Sequence, residues 1–144
     1  MIPNNNYENF DDESDDDLSE EFEMENEPSL TYAMNLEQER FVGRVDGIEA
    51  IKQAVMKIIS TERYEHEIYS WDYGISLADL RGMPVPYVMS EIEQRIIDAL
   101  TADDRFESVE EFEISMIDKK KVSVKFLTIT AQGDEFQTET EVDI

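Results

Sequence analysis

A run of branched aliphatic residues after Asp46 constrains the fold of this chain more than any other feature. Such side chains recur every three or four positions, at Ile48, Ile51, Val55, Ile58 and Ile59. This spacing places them on one face of an α-helix, and Asp46 with Glu49 three residues later has the form of a capping box. Burial of each side chain contributes about 1.5–3 kcal/mol. The run therefore predicts an amphipathic helix in the centre of a hydrophobic core.

A second helix and a series of strands complete the predicted core. Helical spacing predicts a helix over residues 87–100 whose inward side chains are Val88, Ile92, Ile96, Ala99 and Leu100. Alternation of apolar and polar residues then predicts strands over residues 109–117, 122–130 and 136–144. The predicted fold class is α+β, with two amphipathic helices packed on a mixed or antiparallel sheet that ends in a C-terminal β meander.

The segment between the two helices contains the single tryptophan. Tyr64, His66 and Ile68 alternate with acidic residues, which predicts a half-buried strand leading into the sequence I-Y-S-W-D-Y-G-I at 68–75. We interpret Trp71 and Tyr73 as packing anchors between the helices and the sheet, with Gly74 setting the turn. Upstream, alternating residues over 30–45 predict a hairpin or two short extended pieces.

Acidic residues are concentrated at the N-terminus. The chain of 144 residues has a formal charge of −24, and residues 1–28 contribute twelve acids without a lysine or arginine. This segment has few apolar side chains, and their burial cannot offset an ordering entropy of about 1–2 kcal/mol per residue. We therefore predict a disordered acidic tail over 1–28 and a single domain over 29–144. A docking motif for a basic partner is an alternative. Calcium binding is another, although the alternating acids at 11–17 lack the loop glycine.

The charge and composition exclude several functions. A strongly negative chain is unsuited to nucleic acid or an anionic membrane surface, because phosphate recognition relies on cations. The sequence shows neither a membrane-spanning run nor a secretory signal, so we expect synthesis in the cytoplasm. It has no cysteine and one histidine, His66, which lacks a second ligand at metal-binding spacing. We therefore expect no metal and no cofactor.

The last predicted strand has the pattern of a sheet edge. Strand-favouring residues occupy one parity, at Phe136, Thr138, Thr140 and Val142, and polar or acidic residues occupy the other, at Gln137, Glu139, Glu141 and Asp143. Charge along a strand is typical of an edge protected against aggregation, and an unpaired edge can also accept a strand from another chain. The residues alone leave both interpretations open.

Several stretches together resemble a known family. These are T-E-R-Y at 61–64, I-Y-S-W-D-Y-G-I at 68–75, the second amphipathic helix, A-L-T-A-D-D-R-F at 99–106 and the closing β meander. They resemble the baseplate wedge and sheath-initiator proteins of contractile phage tails, in the versions found in defective prophages and phage-tail-like bacteriocins of Gram-positive bacteria. The resemblance covers residues 30–144 and leaves the acidic tail outside.

The resemblance implies a structural protein rather than an enzyme. Members of the family sit in six copies around the tail tube at the baseplate and seed polymerisation of the contractile sheath by strand exchange. It implies that the edge strand over 136–144 pairs with an extended arm of the first sheath ring. The implied partners are the sheath protein, the baseplate wedge proteins and the tail tube, and the free protein is expected to be a monomer.

One motif of the family is altered here. Many relatives carry Glu-Pro-Arg after the second helix for contacts with the wedge core, and the matching positions are Asp103, Asp104 and Arg105. The acid and the arginine remain, whereas the proline is absent. The family has also carried a lysozyme-like label, so one rival function is a peptidoglycan hydrolase that uses Glu62 and Asp72. The other rival is an acidic binding module that captures a basic partner through residues 1–28.

Overall fold

A computed structural model of the protein describes residues 29–144. The elements in chain order are β1 (Thr31–Asn35), β2 (Arg40–Val45), α1 (Gly47–Ser60), a short 3-10 helix (Ala78–Leu80), α2 (Val85–Thr101), β3 (Phe106–Asp118), β4 (Lys121–Thr130) and β5 (Glu135–Asp143). They form two antiparallel sheets, the β1–β2 hairpin and a sheet with strand order β3-β4-β5. The predicted α+β class is confirmed. The predictions made for residues 1–28 lie outside the described residues.

Both predicted helices are present and form the core with the larger sheet. The Asp46 carboxylate accepts a hydrogen bond of 2.7 Å from Gly47 N at the start of α1, while Glu49 pairs with Lys52 at 2.8 Å. α2 begins two residues earlier than predicted, because Pro86 is tolerated in a first turn whose N–H groups have no partner within the helix. Neither helix of the described residues has the length and apolarity to cross a membrane.

The core brings residues from all of these elements together. Its buried members from the helices are Ile51, Val55, Ile58, Ile59, Ile92, Ile96, Ala99 and Leu100. The strands contribute Phe106, Val109, Val122, Val124, Phe126, Phe136 and Val142. The inward positions predicted for both helices are thus buried, except that Ile48 is half-buried at the margin.

The β1–β2 hairpin is confirmed and is attached to α1 by one side chain. Gln53 Oε1 accepts a hydrogen bond from Met34 N, and Gln53 Nε2 donates to the Tyr32 carbonyl, both at 2.8 Å. This pair of bonds fixes the position of β1 along the helix. The hairpin therefore has a defined place beside α1 although it belongs to a separate sheet.

The strand predicted around Tyr64 to Ile68 is wrong. Residues 61–76 form consecutive turns, closed by a single isolated bridge between Glu62 and Ile75. Local bonds occupy the backbone, including Tyr69 N to the His66 carbonyl at 3.2 Å. Among residues 29–144 no strand runs beside this segment, so the alternating pattern does not produce a half-buried surface, and Ile68 is 86% exposed.

Trp71 also differs from its predicted role. Its side chain is 77% exposed, so it does not pack between the helices and the sheet of this chain. Tyr73 is half-buried against the core and stacks on Tyr69, with ring centroids 4.4 Å apart. Gly74 has φ +88°, and a Cβ there would lie 2.6 Å from the Thr61 carbonyl oxygen. Glycine is thus required where the two ends of the loop meet.

Candidate assembly interface

β5 forms one edge of the three-stranded sheet. It pairs with β4 alone among the described strands, in a continuous register from Lys121 opposite Asp143 to Ile129 opposite Glu135. At one end Thr130 N donates to the Asp134 carbonyl at 2.9 Å, and at the other Ile144 N donates to the Lys120 carbonyl at 2.8 Å. Hydrogen-bonded pairs alternate along an antiparallel ladder, so the even-numbered residues of β5 direct their backbone groups toward β4.

The free edge therefore belongs to the odd-numbered residues of β5. Their backbone N–H and C=O groups point away from β4, and their side chains are exposed; they are Glu135, Gln137, Glu139, Glu141 and Asp143. The four predicted edge residues, Phe136, Thr138, Thr140 and Val142, are even-numbered. Their backbone groups face β4 and their side chains lie on the core side of the sheet. The even-numbered residues therefore hold β5 in place, while the odd-numbered residues direct their backbone N–H and C=O groups away from β4.

The four residues predicted for the edge are thus not those whose backbone groups face outward. The turn before β5 is the feature of the sequence that bears on this orientation. The turn over 131–133 places Thr130 opposite Asp134 as a hydrogen-bonded pair, with Gly133 at φ +86°. Once this pair is fixed, every second residue along β5 has the same orientation. The residues Gln132, Gly133 and Asp134 predict this turn, and the pair of Thr130 and Asp134 that closes it determines which backbone groups face outward.

β3, at the other edge of the sheet, is irregular. Its register with β4 shifts at three places, between Phe106 and Ser108, Glu110 and Glu113, and Met116 and Asp118. Glu111 also has φ +53°. Bulges twist an edge and interrupt the regular row of donors and acceptors that an added strand requires. β5, with no register shift, is the better template of the two edges.

Acidic side chains cover the outer face of β5, with lysines on the neighbouring strand. Lys125 Nζ lies 3.6 Å from Glu139, and Lys121 Nζ lies 3.4 Å from Glu141. These lysines are on the β4 side, and the opposite flank of each glutamate adjoins the free edge. A strand added there would place its side chains beside Glu139 and Glu141, where basic or neutral residues are favoured over acids.

The altered Glu-Pro-Arg motif forms a turn between α2 and β3. Arg105 binds Asp103 through both ends of its guanidinium, with Nε to Oδ1 at 2.9 Å and Nη2 to Oδ2 at 2.6 Å, while Asp104 is exposed. Burial raises the pKa of Asp103, but the hydrogen bonds and the charge of Arg105 outweigh this effect and hold that pKa below its ordinary value. Asp103 is therefore ionised at neutral pH, and its carboxylate orients the guanidinium of Arg105.

The motif turn and the sheet edge lie at the same end of the sheet. The Arg105 carbonyl accepts a hydrogen bond from Ala131 N at 3.0 Å, and Ala131 directly follows β4. β5 begins a few residues later at Glu135. The structure thus brings together two features that are far apart in the sequence, so one assembly could contact both.

The carboxylates considered for hydrolysis have other partners. Glu62 accepts hydrogen bonds from Leu77 N at 3.1 Å and Ala78 N at 3.2 Å, which fixes the approach to the 3-10 helix. The hydrogen bond with Ser70 lowers the pKa of Asp72, with a further contribution from its own backbone. A glycosidase acid requires a raised pKa, so Asp72 is unsuited to that role. Among residues 29–144, no cluster of three potential ligands could hold a metal ion.

Comparison with known proteins identifies the family. The family model described as contractile injection system sheath initiator matches residues 30–133. The chain belongs to the sheath-initiator family. It is also 33% identical over 129 residues to the phage-like element PBSX protein XkdS of Bacillus subtilis (strain 168), an alignment that covers 85% of this chain and 89% of that protein. The resemblance inferred from the sequence is confirmed, and it gives this sheath initiator a structural role in a contractile tail.

The family match leaves both ends of the chain outside. It begins at residue 30, after the acidic segment, and ends at residue 133, directly before β5. It includes α1, α2 and the Asp103–Arg105 turn. The Asp103–Arg105 turn thus lies within the family match, whereas the choice of β5 as a candidate interface depends on its geometry alone.

Proposed function

We propose that this sheath initiator seeds the contractile sheath at the baseplate by pairing β5 with an extended arm of the first sheath ring. The observation that supports this proposal is the continuous edge of β5, where the odd-numbered residues present backbone groups that pair with no other strand among residues 29–144. An added strand would form main-chain hydrogen bonds that each contribute about 0.5–1.5 kcal/mol. The test is a pair of proline substitutions at outward-facing positions, which remove edge donors without breaking the ladder between β4 and β5.

The core makes β5 a rigid template. Phe136 is 7% and Val142 is 3% exposed, so each half of the strand is anchored by a side chain in the hydrophobic core. A strand already held at a fixed angle loses little conformational entropy when a partner pairs with it. The mechanism is thus templating, in which the position of β5 sets the direction of the first sheath subunits.

The free edge also suggests the chemistry of its partner. Since Glu139 and Glu141 flank the site of addition, the arm of the sheath protein should carry basic or neutral side chains on that face. We propose six copies around the tail tube, each bound to the sheath protein and the baseplate wedge, in a phage tail or a phage-tail-like particle. The free protein is proposed to be a monomer.

Arg105 is proposed to contact the wedge proteins. Its guanidinium is oriented by Asp103 at the exposed turn, and a guanidinium is the side-chain group that best matches the geometry of a carboxylate on a partner protein. Arg105→Ala is expected to weaken co-purification with the wedge protein about tenfold, the effect of losing about 1.4 kcal/mol. The measurement is the ratio of the two proteins recovered by affinity purification from cells that express both.

Two further variants separate this contact from folding. Arg105→Lys retains the charge but not the two-pronged geometry, so an intermediate loss is expected. Asp104→Ala alters the exposed neighbour that has replaced the family proline and should leave the recovered ratio near that of the unaltered chain. Undiminished co-purification of Arg105→Ala would count against the contact, provided its melting temperature confirms a folded domain.

We infer that the protein does not hydrolyse peptidoglycan. This inference is supported by the Glu62 carboxylate, which accepts hydrogen bonds from Leu77 N and Ala78 N, and by the lowered pKa of Asp72, which makes that carboxyl unsuited to act as the general acid. The purified chain should leave the turbidity of a cell-wall suspension unchanged over hours, at the rate of a buffer control. Clearing by the unaltered chain that Glu62→Gln or Asp72→Asn abolishes would overturn the inference.

A further inference from the structure

The loop between α1 and the 3-10 helix exposes several large apolar side chains. Within eight consecutive residues, the exposed fraction is 72% for Tyr64, 86% for Ile68, 46% for Tyr69 and 77% for Trp71. A single exposed apolar side chain is ordinary, whereas a group of them marks a surface that a partner covers. Trp71 is also the one tryptophan of the chain, and tryptophan and tyrosine are enriched among the residues that dominate binding energy. The loop therefore has the composition of an interface.

The loop is held firmly at its base. Its two ends are joined by hydrogen bonds of 2.9 Å from Arg63 N to the Ile75 carbonyl and from Ile75 N to the Thr61 carbonyl. Arg63 Nε adds a bond of 3.0 Å to the Gly74 carbonyl, and the Ile75 side chain is buried in the core. A surface that is already fixed in one conformation loses little entropy on binding. The loop is thus suited to act as a preformed contact.

Tyr64 has a backbone conformation that an aromatic residue disfavours. Its φ is +69°, in the left-handed region that glycine and asparagine adopt more readily. The Tyr64 ring gains little from burial within this chain, because most of it is exposed. An aromatic side chain at a strained and exposed position indicates a contact with another molecule.

The loop adjoins the Asp103–Arg105 turn through two stacked tyrosines. The Tyr69 ring lies on the Tyr73 ring, with centroids 4.4 Å apart and planes inclined by 22°. Tyr73 and Arg105 in turn line the same groove beside α1, which has a cavity volume of about 240 Å³. The exposed loop is therefore continuous with the surface proposed to contact the wedge.

Acidic side chains accompany the exposed apolar residues of the loop. Glu65 and Glu67 are both exposed, and Asp72 directly follows Trp71. Residues 29–144 carry 24 acids, the total of 36 less the twelve over residues 1–28, against all 12 basic residues. A second copy of this chain or an anionic membrane surface would therefore be repelled. A partner that fits the loop needs basic side chains around an apolar pocket.

We propose that Trp71 is the apolar anchor of the wedge contact and enters, with the loop over residues 64–71, an apolar pocket of the wedge protein bordered by lysine or arginine. This inference rests on the proposed wedge contact at Arg105 and extends it to a second element. The Asp103–Arg105 turn supplies an oriented charge, whereas Trp71 supplies apolar area that is removed from water. Because buried aromatic side chains commonly dominate the affinity of an interface, loss of Trp71 should reduce binding more than loss of Arg105.

Trp71→Ala is expected to lower the amount of wedge protein recovered with the chain about thirtyfold, the change typical of a central aromatic contact. The side chain is mostly exposed in the free protein, so the melting temperature should change by less than about 4 °C. Met116→Ala is the matched control, because Met116 is also exposed but lies about 30 Å along β3 from the turn, and recovery should be unchanged. Undiminished recovery by Trp71→Ala would overturn the inference.

Tyr64→Asn separates binding from folding. Asparagine tolerates a positive φ better than tyrosine, so the melting temperature should stay the same or rise, while recovery of the wedge protein should fall severalfold. A fall in both quantities would instead assign Tyr64 to the fold and count against its role in the contact.

Charge reversal tests the chemistry of the pocket. Replacing Glu65 and Glu67 together by lysine should lower recovery of the wedge protein severalfold, because the new cations would face the basic border of the pocket. Recovery that is equal to or higher than that of the unaltered chain would overturn this border.

A fluorine label at the single tryptophan tests directly whether the wedge protein covers it. Incorporation of fluorotryptophan gives the full chain one ¹⁹F signal, whose difference in chemical shift between light and heavy water reports exposure to solvent. This solvent shift should be present in the free chain and lost in the complex with unlabelled wedge protein. A solvent shift that persists in the complex would overturn the inference and leave the contact at Arg105 standing.

The same samples distinguish failure of this inference from failure of the wedge contact. If the unaltered chain recovers no wedge protein, the proposed wedge contact fails and this inference fails with it. If recovery is normal and Trp71→Ala leaves it unchanged, the inference alone fails. Loss of the solvent shift in the free chain at raised concentration would identify a second copy as the occupant, which also overturns the proposal.

Discussion

Particles that carry Gln137→Pro and Glu141→Pro together are expected to assemble a baseplate but almost no sheath. Both residues direct their N–H groups away from β4, so proline removes two donors from the free edge. The pyrrolidine ring also obstructs the approach of an added strand. The donors to β4 come from even-numbered residues, so the ladder between β4 and β5 is retained.

The expected effect is a decrease of at least tenfold in the fraction of particles with sheath. Two main-chain hydrogen bonds contribute about 1–3 kcal/mol together, and the steric clash of the rings adds to their loss. The measurement is a count of sheathed and unsheathed tails by electron microscopy. Sheath of normal length on the double-proline particles would contradict templating by β5.

Threonine at the same two positions is the matched control. It retains both N–H groups, favours a strand and loses the same side-chain contacts, including the exposed Lys121–Glu141 pair, which contributes little to stability. The threonine variant should assemble sheath at the level of the unaltered chain. A difference between the two double variants therefore measures the main-chain edge rather than the acidic face.

Truncation of β5 would be a poorer experiment. Removing residues 136–144 deletes Phe136 and Val142, which are buried in the core. It also leaves β4 without one of its two neighbours. Loss of sheath from such a truncation could result from an unstable domain, so it would not distinguish the edge from the fold.

The elements predicted well from the sequence are those whose pattern is satisfied by burial alone. Val88, Ile92 and Ile96 recur at helical spacing, and each is fully buried where α2 meets the core. A helix pairs its own backbone groups, so its pattern predicts it without knowledge of any neighbour. The same pattern correctly assigned the buried face of α1.

Strand predictions depended on whether a partner strand was available. The alternation at Tyr64 to Ile68 resembles that of β5, yet only β5 lies beside another strand, and the earlier segment satisfies its backbone through local turns. Trp71 was likewise predicted to pack between the helices and the sheet, whereas its side chain is 77% exposed in the structure. Alternation reports the two faces of a strand but not whether a neighbour exists.

The candidate site was located by its charge, but its orientation depends on pairing. Side chains and backbone groups both alternate along a strand with a period of two, and the alternation of Phe136 and Gln137 fixes only which side chain is buried. Which backbone group is free depends on the partner strand and on the turn before β5. Asp103, Asp104 and Arg105 were identified from the family resemblance. The ion pair between Asp103 and Arg105 was visible only in the structure.

Val55→Asp is expected to unfold the domain. Val55 is completely buried in α1, in the same core cluster as Ile92 and Ile96 of α2. A carboxylate there has no cationic partner among these apolar neighbours, so the variant must either bury a charge or protonate at a cost of several kcal/mol. The free energy of unfolding of a domain is about 5–15 kcal/mol, so a loss of several kcal/mol can remove most of it. Far-UV circular dichroism should show loss of helix and of the cooperative thermal transition.

Two variants separate the buried charge from other effects of this substitution. Val55→Thr has nearly the same shape and should remain folded, with a destabilisation of about 1–3 kcal/mol from its buried hydroxyl. Lys52→Asp places the same new residue on the exposed face of α1 and should cost about 1 kcal/mol or less. A cooperative transition in Val55→Asp close to that of the unaltered chain would contradict the placement of Val55 in the core. Unfolding by Val55→Asp should abolish both sheath assembly and wedge binding, whereas the two edge prolines should abolish sheath assembly alone. Comparison of the two variants therefore tests whether loss of sheath results from the edge of β5 while the core stays folded.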